Sequence, residues 1–198
     1  MSWSFEAKKI ISEKIQLEPL EEISISEICQ SLIPDPKGWY SIMFGLNTPE
    51  AYEKEIKDSI EYRKKKYGMG FAIRDLSSSE IAGITFFLRM DEENRSLEIG
   101  TTNISPKYRR TYINTAAKFA LLKLAFETYG CIRVSFRVDE ENVISRTAVE
   151  RIGAKYGGTL RYERILPDGR IRNYCFYSII DIEWPAIKQQ LLSTLHRS

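Results

Sequence analysis

Near residue 105 the apolar spacing of this chain switches from two to about three and a half residues, and few architectures accommodate that switch. Upstream lie three strand-like runs, Phe71–Asp75, Ile81–Met90 and Ser96–Ile104, separated by breaks short enough for antiparallel hairpins. Downstream, over about Tyr112–Thr128, the spacing is helical. Ile113, Ala117, Ala120, Leu121 and Leu124 share one face, and Phe119, Leu122 and Phe126 form a second stripe. A helix with two apolar stripes packs on more than one side. A period-two run follows, in which Ile132, Val134, Phe136 and Val138 alternate with Arg133, Ser135 and Arg137. Hairpins followed by a strand–helix–strand unit imply an α/β (α+β) fold: a mixed, mostly antiparallel central sheet with helices on both faces.

The flanks fill in the order β-α-α-β-β-β-α-β-α-β-β-α. Ile15–Leu20 reads as a short strand, followed by a helical pattern through Ile23, Ile28, Leu32 and Ile33. Thr48-Pro49-Glu50 is a helix start, a hydroxyl cap with proline and acid in the first turn, and a narrow stripe at Tyr52, Ile56, Ile60 and Tyr67 continues it. A helix is expected from about Asn142 to Ile152. Strands near Thr159–Leu166 and Ile171–Ile180 are joined by the turn Pro167-Asp168-Gly169, and a last helix spans about Ile182–Leu195. With no repeat and no Gly/Ser-rich linker, residues 1–198 read as one domain.

Composition removes several function classes. A formal net charge of +2 and the lack of aromatic residues interleaved with basic ones argue against nucleic acid. Cys29, Cys131 and Cys175 are scattered, and the single histidine, His196, stands near the end, so neither a metal site nor a His-based triad is expected. Cys131 and Cys175 sit in apolar runs as buried thiols. No stretch approaches the ~20 apolar residues of a membrane span, and the first residues lack signal-peptide order, so no membrane partner and a cytoplasmic location are expected.

Between the strand ending at Ile104 and the long helix lie Lys107, Arg109 and Arg110. Unpaired N–H groups and the helix dipole make such a helix start a phosphate site, and adjacent arginines add bidentate donors. A solvated basic turn is the equally simple alternative.

This segment resembles the pyrophosphate loop of the GNAT acyl-CoA N-acyltransferases, Gln/Arg-x-x-Gly-x-Gly/Ala opening a helix. Arg109 matches the first position, while Tyr112 and Asn114 stand at the two small-residue positions. Asn114-Thr115-Ala116-Ala117-Lys118 is similar to the Asn-Thr-Glu-Ala-Lys run of RimJ/RimL-type members. Leu97-Glu98-Ile99-Gly100-Thr101 looks like the strand that carries a bulge in this family, and a glycine within a strand independently signals a bulge or a close approach. Asn142, Ser145 and Gly153-Ala154 match the Asn-x-x-Ser…Gly-Ala/Phe segment. The end pattern recurs as Gly158-Thr-Leu-Arg161, Leu166-Pro-Asp-Gly-Arg170, Arg172 and Ser178-Ile179.

The resemblance implies acetyl-CoA as cosubstrate. Ile99, Gly100 and Thr101 would meet the thioester and the pantetheine arm. Arg109, Arg110, Thr111, Tyr112 and Ile113, with Asn114 and Thr115, would hold the pyrophosphate. Asn142 would contact coenzyme A, and Ser145 would protonate the leaving thiolate. From the residues alone, Asn142 is equally an N-cap and Ser145 a first-turn serine bonded to local backbone.

In this family an amine attacks the thioester directly, so the site must supply a neutral amine. At pH 7 a lysine amine of pKa near 10.4 is neutral about 0.04% of the time and an α-amine near 8 about 10%, a difference of about 3 kcal/mol. Glu98, opposite in face to Leu97 and Ile99, is the candidate base, acting through water, with a salt-bridged strand carboxylate as the alternative. Glu163 stands where relatives often carry histidine. Val149 stands where other branches place a tyrosine acid, which leaves Ser145, Tyr162 or Tyr174 as donors. The expected acceptor is a primary amine, either a protein N-terminus or a small molecule. A non-catalytic acyl-CoA-binding module is the alternative, acceptor loops are expected near Trp39–Asn47, and a homodimer stays open.

Overall fold

The computed structural model describes residues 3, 7–32, 45–46, 48–65 and 68–197, apart from the side chains of residues 63 and 64. Eight strands form one sheet: β1 Ile10–Ser12, β2 Ile15–Pro19, β3 Met69–Asp75, β4 Ile81–Asp91, β5 Ser96–Ile104, β6 Arg133–Asp139, β7 Lys155–Ile165 and β8 Ile171–Ile180. Their order is β1-β2-β3-β4-β5-β6-β8-β7. Every neighbouring pair is antiparallel except β5 with β6. Among the described residues five α-helices accompany it: α1 Ile25–Leu32, α2 Pro49–Lys65, α3 Ile113–Lys123, α4 Val143–Arg151 and α5 Trp184–Arg197.

Period-two alternation divides the apolar side chains between two layers. Phe71, Ile73, Phe87 and Phe136 face the layer that holds α3, α4 and α5, meeting Ala117, Leu121 and Leu191. Ala72, Ile84 and Phe86 point the other way, onto Ile28 and Leu32 of α1 and Ile56 of α2. Each such side chain, fully buried, contributes about 1.5–3 kcal/mol of transfer free energy. Both apolar stripes of α3 are buried, as a helix enclosed between the sheet and α5 requires. Its end widens into a π turn, Leu124–Thr128. There Trp184 stacks on Phe126 at 5.4 Å and its indole N–H donates to Glu127 at 2.9 Å, locking α5 over α3.

Thr48 accepts a hydrogen bond from the Ala51 amide at 3.2 Å, so α2 begins at the expected hydroxyl–proline start. In the turn joining β7 to β8, Gly169 takes φ +84°, a conformation that costs glycine little. The expected bounds of β5 and β8 are met, and β7 begins four residues before its expected start because Gly157 and Gly158 lie inside the strand, across a register shift, rather than ending a loop. β1 is an additional strand, too short to announce itself in the sequence. Cys131 and Cys175 are buried, and burial pushes the Cys131 thiol up to about 12. Ile33, Tyr67 and most of the expected acceptor segment near Trp39–Asn47 lie outside the described residues. Among the described residues no helix is long and apolar enough to cross a membrane, and no group of histidine, cysteine and acidic side chains is arranged for a metal.

Candidate acyl-transfer site

The parallel pair β5–β6 is hydrogen-bonded over three positions, from Ser96↔Arg133 to Glu98↔Ser135. Beyond them no pairing continues, and the strands part around a cleft of about 630 Å³. A sheet that opens in its middle exposes backbone groups which a bound molecule can satisfy. The cleft is lined by five basic side chains, Arg109, Arg110, Lys118, Arg137 and Arg172, against one acidic, Asp139. That imbalance suits a polyanion.

β5 forms one wall. Ile84 pairs with Asn103 and Phe86 with Gly100, so Thr85 alone faces Thr101 and Thr102. The extra residue is Thr101, at φ +46°. The bulge expected at Gly100 therefore falls one residue later. Gly100 keeps a ladder partner, and a Cβ there would stand 2.9 Å from Leu88 Cδ1 and 3.2 Å from Glu98 Oε1, both ends of flexible side chains. Ile99, Gly100 and Thr101 all line the cleft.

At the end of β5 the turn Pro106–Tyr108 is tied down by Ser105 N–H donating to Ala82 O at 2.9 Å and by the Tyr108 hydroxyl donating to Glu80 at 2.6 Å. Lys107 pairs with Glu80 and is spent on this anchor. Arg109 and Arg110 reach the cleft, where Arg110 has no ion-pair partner among the described residues.

The Tyr112 ring turns away from the cleft. Its hydroxyl donates to Asp75 Oδ1, and Lys14 lies 4.9 Å from its ring centre. A tyrosine can stand at a small-residue position here because its bulk is housed beside β3, leaving the backbone approach open. Thr111 donates to Tyr108 O at 2.7 Å, while Ile113 and Thr115 are buried, so these side chains serve the loop and the core. Asn114, in the first turn of α3, lines the cleft.

Asp75 also accepts from the hydroxyls of Ser77 and Ser78, at 2.6 and 2.8 Å. Burial raises its pKa, but these hydrogen bonds and that of Tyr112 outweigh it and hold the carboxyl at about 2. A carboxyl depressed on folding contributes stability that is complete above its unfolded pKa near 4 and lost as pH falls through 2. Asp75→Asn is thus expected to cost about 2 kcal/mol at pH 7 and almost nothing near pH 2, as read from urea melts at both pH values.

The opposite wall comes from β6, α4 and β8. Asn142 caps α4, its Oδ1 accepting from the Ser145 amide at 3.0 Å. That bond fixes which end of the side chain is oxygen and leaves the amide N–H₂ for a ligand. Asn142 and Ser145 line the cleft, and the Ser145 hydroxyl has no protein partner among the described residues. On the α1–α2 side, Asn103 donates to the Tyr52 hydroxyl, which places Tyr52 at the rim.

Glu98 is 4% exposed and held by Arg89 Nη1 and Arg137 Nε, each 2.9 Å from its Oε2. Arg137 Nη1 also lies 3.5 Å from Glu163. Both carboxylates considered as bases are joined through one arginine, which stacks over Tyr174 at 5.0 Å and itself faces the cleft. Arg172 lies 3.9 Å over the Tyr174 ring and 3.0 Å from Asp139, with burial pulling its pKa down. Arg137 is hidden in the sequence among ordinary strand alternation, and Arg172 is marked there only by the family's end pattern. Lys118 did leave a signal, a cation between Ala117 and Phe119 on a helix apolar on both sides.

Residues 14–155 fit the family model described as Acetyltransferase (GNAT) domain. The chain belongs to this family. It is an acyltransferase, and the acetyltransferases of this fold use acetyl-CoA. YdaF of Bacillus subtilis (strain 168), named as a candidate ribosomal N-acetyltransferase, is 24% identical over 180 residues, 90% of this chain and 97% of YdaF. A GCN5-related N-acetyltransferase from Brucella melitensis superposes with a TM-score of 0.84 at 28% identity, covering 96% of this chain and 86% of that one. RimJ of Mycobacterium smegmatis, solved with CoA-disulfide, shares the fold at TM-score 0.75 and 18% identity, over 94% of this chain and 93% of RimJ. These relatives are consistent with the RimJ/RimL-like branch of the GNAT family.

Proposed function

We propose that this GNAT protein transfers the acetyl group of acetyl-CoA to a primary amine, with a protein N-terminal amine as the favoured acceptor. The observation that carries the reading is the parted β5–β6 seam, which runs from the Arg109–Arg110 helix start to the wall bearing Asn142 and Ser145. Arg109, Arg110 and the first amides of α3 take the pyrophosphate. Thr101 and Thr102 offer the arm their bulged backbone, and Asn142 donates its amide N–H₂. The RimJ relative solved with CoA-disulfide supports a coenzyme A ligand for such a seam.

Acetyl-CoA supplies the activated acyl group. The acceptor nitrogen bonds to the carbonyl carbon, the carbon–sulfur bond breaks, and the Ser145 hydroxyl passes a proton to the departing sulfur while recovering one from solvent. The proton shed by the amine goes to water. Glu98 and Glu163 are both engaged by Arg137, so neither is poised as a strong base. A site without a strong base favours an amine that is already partly neutral, and the α-amine has an advantage of about 3 kcal/mol over lysine. The ribosomal designation of YdaF points the same way.

Acetyl-CoA at about 100 times its Kd should stabilise the protein by about 2.7 kcal/mol. Thiol release should then be faster with a peptide bearing a free N-terminus than with an N-blocked, lysine-containing peptide or a polyamine. Binding without thiol release from any amine would mark a non-catalytic module, and no stabilisation would remove the reading altogether. Arg109→Ala should weaken acetyl-CoA about 10- to 100-fold, the worth of a charge-assisted hydrogen bond. An unchanged Kd would take Arg109 out of the site.

A further inference from the structure

Lys118 has no task in the chemistry above and stands where a lysine is costly. It projects from α3 at 5% exposure, flanked by Ala117 and Phe119. Its amine donates to Thr102 Oγ1, and no carboxylate pairs with it among the described residues. Thr102 shares a second hydrogen bond with Thr85 Oγ1, at 2.8 Å. These two hydroxyls would satisfy one another without the lysine, so the fold does not need it. A buried amine with one partner is destabilising, and burial alone holds it near pKa 7.

What the lysine has is position. Its partner Thr102 is the residue after the bulge, where the β5 ladder is interrupted, and both line the cleft. A lysine amine keeps donors to spare after one hydrogen bond, in either protonation state. A strand rises about 3.3 Å per residue, so Thr102 stands on the order of 7 Å from the loop end of β5 at Ile104. The phosphate-binding arginines lie beyond that end. A ligand anchored there would pass Lys118 with its arm, where amide and thioester carbonyls lie, rather than with its phosphates.

We propose that Lys118 is a ligand-binding residue, donating from the floor of the cleft to a carbonyl oxygen of the acyl-pantetheine arm. The proposal rests on acetyl-CoA being the ligand, as set out under the proposed function. Lys118→Met keeps the length and apolar stem of the side chain and removes the donor, and Lys118→Gln keeps a donor without charge. The test is the Kd of the full chain for CoA and for acetyl-CoA, with the ligand-free Tm of each variant. The ligand-free methionine variant is expected to melt at or above the wild-type temperature while its affinity falls about tenfold. Equal loss for both ligands places the carbonyl in the pantetheine amides, and loss for acetyl-CoA alone places it in the thioester. Glutamine should recover most of the affinity. Wild-type affinity for both ligands in the methionine variant overturns the proposal, as does a glutamine variant that folds and binds no better than methionine. If the methionine variant does not fold, the glutamine variant decides: affinity within a few-fold of wild type supports a donor role, and a tenfold loss rejects it. Wild-type protein that binds neither ligand instead overturns the acetyl-CoA reading itself.

Discussion

Asp139→Ala is expected to destabilise the protein by about 3–5 kcal/mol, because it removes the shared partner of two arginines. Asp139, at the end of β6 and 3% exposed, lies 2.9 Å from Arg170 and 3.0 Å from Arg172, and also accepts from the Glu141 amide at 3.0 Å. Arg172 is 4% exposed and stacked on Tyr174, so it meets little water when this counter-charge is lost. Removing the carboxylate from a buried ion pair costs more than the pair contributed, because the desolvation of the guanidinium is retained and this attraction is not. The double replacement Asp139→Leu with Arg172→Met should recover much of the loss, since an apolar pair of similar volume removes both charges together. Urea melts of the single and double variants test this. A single-variant loss below 1 kcal/mol would mean that water reaches Arg172.

Lys118→Met should act in the opposite direction, with an effect that depends on pH. Desolvation holds the folded lysine near 7, well below its ordinary 10.5. Between those values the unfolded chain carries a proton that the folded chain does not, so the lysine's contribution to stability rises with pH. Below pH 7 both states are charged and the penalty is complete, about 5 kcal/mol as an order of magnitude. At pH 9 about 2 kcal/mol of it remains. The methionine variant should therefore exceed wild type by several kcal/mol at pH 6 and by roughly half as much at pH 9. An advantage that does not change with pH would show that Lys118 is not desolvated in the folded state.

The strands that bracket the cleft were legible because each has one simple period. β5 and β8 begin and end where their alternation does, and Asn142 serves as the cap that its type and place suggest. The failures have physical causes. A strand glycine signals a bulge only on average, and here the irregular residue is Thr101, whose conformation its neighbours impose. Gly157 and Gly158 look like a loop but lie in β7 across a register shift. Glu98 was readable as a buried-strand carboxylate, whereas its partners Arg89 and Arg137 come from two other strands, and no local pattern joins them. The fate of Tyr112 depended on Asp75, on the far side of the β3–β4 turn. Side-chain identity thus located the cleft, while the pairings that decide which groups are available arise only from the order of strands.

The seam between β5 and β6 also bears on how much of this protein a cell can keep folded. Two strands that part after three paired positions leave backbone edges that a ligand can complete. A molecule that binds the folded chain alone shifts the folding equilibrium in proportion to the logarithm of its concentration. On the proposed acetyl-CoA reading, proteolytic lifetime and heat tolerance would then follow the coenzyme concentration.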